Sequence, residues 1–185
     1  MAFNQSFHSD DQLSGWAKYT MLKYCSLFAN LFNWEICEGA PTKLLGKLPE
    51  YLKVKSYNVN VQKSDDIKTT AEVTFLIDNK EIKCSGLGNG PVNALDNAIR
   101  SNFKRVEKYY KYFSDLKLLD YKVRILNTGT GATTRVLIES TDKTGKSWFT
   151  IGVSQNIIEA SFKALIDSLE YKLFKEKAPA NINEK

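Results

Sequence analysis

The sequence predicts an α+β fold of two βββα repeats related by pseudo-twofold symmetry, each a three-stranded antiparallel sheet with one helix, preceded by a helical linker segment. Three observations predict it. Tyr51–Val61 (YLKVKSYNVNV) and Leu116–Leu126 (LKLLDYKVRIL) alternate apolar and polar residues in the same way, and each sets a tyrosine two residues before a valine. That is the pattern of a half-buried strand. A second alternating run and a turn follow each of them. From Gly86, GLGNGPVNALDNA then aligns without a gap with GVSQNIIEASFKA from Gly152, a period of about 65 residues. The alignment pairs Gly90 with Asn156, Ala94 with Ala160 and Ala98 with Ala164.

The elements divide the chain into residues 1–50, a helical linker subdomain; 51–113, repeat 1; 114–175, repeat 2; and 176–185, a disordered tail. Asp11–Asn33 has helical spacing, with a narrow polar stripe and an apolar face (Trp16, Met21, Leu22, Leu27, Phe28, Leu31) wide enough to need more than one neighbour. Cys37–Glu50 reads as a connection by its Gly and Pro content. In repeat 1 the second strand is Thr69–Ile77, closed by a turn at Asp78-Asn79-Lys80, and the third runs Glu81–Gly86. Gly90 takes the helix cap position and Pro91 the first helical position, where its missing N–H costs nothing. In repeat 2 the strands are Ala132–Ser140 and Ser147–Gly152, joined by a turn over Thr141–Lys146 with Gly145. Asn156 followed by Glu159 is a capping box that starts the helix at Ile157. Val92, Leu95, Ala98, Ile99 and Phe103 form the apolar stripe of the first helix, and Ile158, Phe162, Leu165, Ile166, Leu169 and Leu173 that of the second. Lys175–Lys185 (KEKAPANINEK) reads as a frayed end.

Composition narrows the function. A chain of 185 residues with 43% hydrophobic content is globular. It has no apolar run of the roughly 20 residues that span a bilayer and no signal-peptide pattern at its N-terminus, so a cytoplasmic location without a membrane partner is expected. The charge of +5 and pI near 9.0 invite a nucleic-acid reading, but the lysines are scattered. Asn102–Phe113 (NFKRVEKYYKYF), where basic and aromatic residues interleave, reads as a solvated helix end and loop. Cys25, Cys37 and Cys84 have no metal-ligand spacing and read as buried reduced thiols. His8, the single histidine, sits where nothing nearby could orient it, which argues against a hydrolase triad or a His-based metal site.

The chemistry-bearing feature is the pair of helix starts. A helix N-terminus offers unpaired N–H groups and the positive end of a dipole to a phosphate or carboxylate. The backbone at Gly88, Asn89 and Gly90 can approach an anion closely; alternatively the glycines only satisfy a turn with positive φ. The spacing is neither a dinucleotide fingerprint nor a phosphate loop, since it runs GxGxGP and no GK[ST] follows. What remains is a small anionic or zwitterionic ligand.

At these residues the chain resembles the C-terminal regulatory domain of the α-isopropylmalate synthase and citramalate synthase family. GNGPVNALDNAI, DYKVRIL, TRVLIES and GVSQNIIEASFKALIDSLEYKL carry the resemblance over about Tyr51–Phe174, and their wording is nearest to the citramalate synthase branch. The resemblance implies a domain that binds the pathway end product, isoleucine or leucine, to inhibit a barrel condensing an acyl-CoA with a 2-oxo acid. The divalent metal and acetyl-CoA belong to that barrel, so no cofactor and no catalytic residue is expected in this chain, either as a regulatory fragment or as a stand-alone protein. A homodimer and a barrel partner, in cis or in trans, are implied as well. The effector carboxylate is expected at Gly88–Gly90 or Ser154–Asn156, with Val92, Tyr121, Thr133 and Thr134 walling its side chain and Gln155 or Asn156 taking its ammonium; Tyr121 serves equally well as plain core. Two other readings compete. One is a structural dimerisation module without a live ligand site; the other is a double-stranded-RNA-binding-like domain, against which stands the absence of lysines at the start of the first repeat helix.

Overall fold

The computed structural model describes residues 49–63, 67–103, 106–126 and 132–182, all within the compact unit Cys37–Lys185. The helix expected at Asp11–Asn33, His8, Cys25, Cys37 and most of the connection before Glu50 lie outside the described residues. Repeat 1 is β1 (Lys53–Lys63), β2 (Ile67–Ile77), β3 (Lys80–Gly88) and α1 (Pro91–Asn102). A short helix α2 (Glu107–Phe113) leads to β4 (Lys117–Ile125), β5 (Thr134–Thr141), β6 (Ser147–Ser154) and α3 (Ile157–Lys175). The two sheets are antiparallel, ordered β1-β2-β3 and β4-β5-β6, so the α+β architecture of two βββα units holds. The symmetry reaches details. A β-bulge falls between Val54 and Ser56 and again at the matching place between Leu118 and Asp120, and Tyr57 pairs with Val73 as Tyr121 pairs with Ile138.

The turns follow from their residues. Asp78 (φ 48°) and Asn79 (φ 61°) form a two-residue left-handed turn, a conformation that their short polar side chains tolerate. The second hairpin is longer, with Gly145 at φ 72° and the Asp142 carboxylate accepting the Thr144 N–H at 2.9 Å.

The third strands run two residues beyond the expected glycines, to Gly88 and Ser154. Glycine here does not end the strand; it admits the helix. A Cβ on Gly86 would lie 2.3 Å from the Ala98 nitrogen, one on Gly88 2.4 Å from the Ala94 nitrogen, and one on Gly152 1.8 Å from the Ala160 oxygen. The backbones of α1 and α3 rest directly on β3 and β6, with alanines facing glycines.

Two further expectations are revised. Asn102–Phe113 is not a solvated end: Phe103, Val106, Tyr109 and Phe113 are buried, and the Phe103 and Phe113 rings meet edge to face at 4.7 Å. The residues after α3 are not frayed either, because those up to Ile182 run back over the first hairpin. α3 is buried on several faces, and its polar core positions are satisfied. Ser168 joins the Trp148 indole N–H to Ser140, and Thr150 donates to the Ala164 carbonyl at 2.7 Å. Lys172, 1% exposed, donates to Asp142, which is fully buried, at 2.8 Å and to Glu176 at 2.9 Å, with Asp115 close by. Burial raises the Asp142 carboxyl, but Lys172, both Thr144 donors and Lys175 outweigh it and hold it well below the usual carboxylate range.

Candidate functional site

The sequence-predicted residues fall into two groups, one per repeat, each where a third strand hands over to a helix. Gly88 ends β3, Gly90 caps α1, and Val92 lies in its first turn, half-buried. In repeat 2 the ladder pairs Thr134 with Ser154, Ile125 pairs with Thr134, and Asn156 caps α3. Thr133 lies just before β5, and its carbonyl accepts the Leu126 N–H at 2.8 Å. Asn89, Gln155 and Asn156 are exposed to solvent.

The two helix ends are equivalent by symmetry and different in chemistry. At α3 the Asn156 Oδ1 accepts the N–H groups of Ile158 (2.8 Å) and Glu159 (3.4 Å). The capping box closes through an intermediary: the Asn156 N–H donates to Ser154 Oγ at 3.1 Å, and Ser154 Oγ donates to Glu159 Oε2 at 2.7 Å. Glu159 also pairs with Lys163, and the two partners hold its carboxyl below the usual range. This end carries its own carboxylate.

At α1 nothing comparable is present. Gly90 has no side chain to cap with, Pro91 follows, and the first turn holds no acidic residue. Asn93 is turned back to accept the Asn89 N–H at 3.2 Å, and Asn97 Nδ2 donates to the Leu87 carbonyl at 2.8 Å. The positive-φ reading of Gly90 does not apply, since its φ of −168° is extended backbone open to any residue, and a Cβ there would meet nothing within 4 Å. Gly88 is needed for contact with Ala94, so its side-chain face is already filled by the helix. Beside it, Thr69 pairs with Gly88 in the ladder, and its Oγ1 is buried with no hydrogen-bond partner. Thr69 is the repeat-1 counterpart of Thr134, and no single segment of sequence marks it, because only the ladder register brings it to the helix start.

Tyr121 is anchored to the last helix. It lies on the helix-facing side of β4, half-buried, with its hydroxyl 2.6 Å from Ser161 Oγ on α3. Its counterpart Tyr57 packs on Phe162, the next residue of α3, with ring centroids 4.5 Å apart. Further along each first strand the helix-facing side is uncovered: Val61 is 51% and Ile125 65% exposed. Elsewhere, a cleft of about 310 Å³ opens beside the Lys172 cluster, lined by Lys111, Tyr112, Asp115, Lys143, Lys172 and Glu176. It includes none of the sequence-predicted site residues.

Among the described residues no helix is long and apolar enough to cross a membrane. A family model of the LeuA allosteric (dimerisation) domain matches residues 35–173. The chain is 45% identical over 138 residues to the (R)-citramalate synthase of Geobacter sulfurreducens, covering 72% of this chain and 25% of that protein. It is 46% identical over 154 residues to the (R)-citramalate synthase of Aquifex aeolicus, covering 78% and 28%. It is also 31% identical over 147 residues to the 2-isopropylmalate synthase of Clostridium acetobutylicum, covering 72% and 24%. The chain thus spans about a quarter of the length of these relatives. With a family match over most of its length, and the two βββα units and helix starts on which the resemblance rested, the chain belongs to the LeuA allosteric (dimerisation) domain family.

Proposed function

We propose that this chain is the amino-acid-sensing part of a citramalate synthase- or 2-isopropylmalate synthase-type acyltransferase, binding isoleucine or leucine as a feedback signal in a pair of copies. The observation that carries the reading, within a domain of this family, is the open N-terminus of α1. Its first-turn N–H groups have no capping side chain and no local acid, which suits the α-carboxylate of an amino acid. The α3 end, already holding Glu159, suits the ammonium instead. Gln155 and Glu159 take that charge, since Asn156 has committed its oxygen to Ile158 and Glu159. Val92, Tyr121, Thr133 and Thr134 wall the aliphatic side chain. The exposed setting of Asn89 and Gln155 supports a site that a second copy completes. Ligand binding regulates a catalytic barrel, in the same chain or another, by favouring one arrangement of repeats or copies over its alternative. The choice between isoleucine and leucine rests on one methyl branch, worth about 1–3 kcal/mol in a fitted pocket.

Calorimetric titration with isoleucine, leucine and valine in parallel, with sedimentation of the same samples, tests this. One of the three is expected to saturate. Gly90→Asp supplies an internal cap and a repelling charge, so it should weaken that binding by about tenfold or more while leaving the folded protein as stable or slightly more so. A well-folded dimer that binds none of the three overturns the sensor reading and leaves a dimerisation module.

A further inference from the structure

α3 ends in a left-handed cap built without glycine. Lys177 has φ 54°, its N–H donates to the Phe174 carbonyl at 3.0 Å, and the Ala178 N–H reaches back to Leu173 at 2.9 Å. These two bonds and the buried Ala178 make a Schellman motif, which turns the chain sharply away from the helix. The next four residues are used one after another by repeat 1. The Pro179 carbonyl accepts from the Tyr109 hydroxyl at 3.0 Å and the Ala180 carbonyl from Lys108 Nζ at 2.7 Å. Asn181 bonds at three points: its N–H donates to the Glu50 carbonyl at 2.9 Å, its Nδ2 to the Leu76 carbonyl at 2.9 Å, and its Oδ1 accepts the Asp78 N–H at 2.7 Å. The Ile182 N–H donates to Asp78 Oδ1 at 2.9 Å, and Lys108 pairs with the same carboxylate. Asparagine is the residue for this place, because one planar amide offers both a donor and an acceptor to a hairpin that presents one of each.

We infer that Lys177–Ile182 is a strap by which the last helix of repeat 2 holds the hairpin of repeat 1 and Glu50, the point where the chain enters the repeats. Glu50 is the last residue before the buried Tyr51–Leu52 pair, so this bond fixes the point at which the chain enters the repeats. The strap is continuous with α3, whose other end carries the proposed ammonium contacts. A shift of α3 on effector binding is therefore delivered to the entry segment through backbone and hydrogen bonds rather than through loose packing. The regulatory use of the strap rests on the function proposed above; the mechanical tie does not.

Hydrogen exchange of the whole chain tests it, comparing the natural sequence with Asn181→Ala and with Ile182→Pro. The second variant removes one N–H at an exposed position and remains informative if the first unfolds. Without ligand, the amide of Asp78, whose N–H the Asn181 side chain accepts, is expected to exchange about tenfold or more faster in the variants while those of β4–β6 are unchanged. Unchanged exchange at Asp78 overturns the inference. With saturating isoleucine or leucine, the natural chain should change protection at Tyr51 and Leu52, and Asn181→Ala should lose that change while keeping effector affinity within about twofold. A change that persists in Asn181→Ala, or binding that leaves the entry segment unaffected, overturns the coupling. If neither amino acid binds the natural chain, the sensor reading fails and the ligand-free comparison alone decides the strap.

Discussion

Four glycines near the helix starts look alike in the sequence and do different work. Gly86, Gly88 and Gly152 are places where a strand and a helix backbone touch, while Gly90 is an extended residue with open space around it. Substitution separates them. Gly152→Ala places a carbon 1.8 Å from the Ala160 oxygen, so α3 must lift off β6. A loss of about 2–3 kcal/mol is expected, the upper part of the range for overpacking. Gly90→Ala should change stability by less than about 0.5 kcal/mol, as for a surface site without strain. Urea unfolding of the two variants side by side checks this, and equal losses would contradict the packing account. The gapless alignment of Gly86–Ala98 with Gly152–Ala164 contained this information, since glycines faced by alanines four apart are the composition of close packing. Taken one residue at a time, the same glycines mark strand ends, which places the end of each third strand two residues short.

Elements were legible where one periodicity ruled them and less so where two demands overlapped. All six strands and both repeat helices follow alternation or an apolar stripe, and the Asn156 cap falls where the capping box places it. The sequence of α2 reads as a solvated helix end and loop because its lysines, Lys108 and Lys111, interleave with tyrosines. Yet Phe103, Val106, Tyr109 and Phe113 recur at helical spacing and are all buried. The composition of the tail reads as frayed, whereas its order up to Ile182 comes from partners about a hundred positions away that composition does not register. The same holds for the ion cluster that fixes the second hairpin to α3: nothing local joins Asp142 to Lys172. Asp142→Asn should cost about 3 kcal/mol at neutral pH, the low end for an orphaned buried ion, because Asp115 and Glu176 still face Lys172. The folded-state pKa of Asp142 is depressed, so its contribution is complete above the unfolded value near 4 and is lost as pH falls through the folded value. The gap between the natural chain and Asp142→Asn should therefore be constant from about pH 7 to 5 and narrow toward pH 3. Denaturant midpoints at the three pH values measure it, and a gap that stays the same at pH 3 would assign the loss to packing rather than charge.

At the scale of the molecule, the duplication leaves the same face uncovered twice. α1 lies over β3 and β2, and α3 over β6 and β5, so the first strand of each sheet extends past its helix. On that overhang the helix-facing residues are Tyr57, Val59 and Val61 in β1 and, at matching positions, Tyr121, Val123 and Ile125 in β4. Both strands are also sheet edges among the described residues. One apolar overhang is ordinary surface; two related by pseudo-symmetry on a domain of a dimerisation family point to a second copy as the cover. The tyrosine end of each overhang is already occupied, Tyr57 by Phe162 and Tyr121 by Ser161, so the contribution left for a partner is concentrated at Val61 and Ile125. Lysine at both positions keeps the exposed strand geometry, because half or more of each side chain is already in water, yet it places two charges in the shared face. The double variant Val61→Lys, Ile125→Lys should keep its circular dichroism and thermal midpoint while its dimer weakens by about tenfold or more, seen as a shift toward monomer in sedimentation velocity at micromolar concentration. If the natural chain is a dimer and the double variant sediments unchanged, the copies meet through another face. The proposed effector site would then have to be completed by a surface other than these strands.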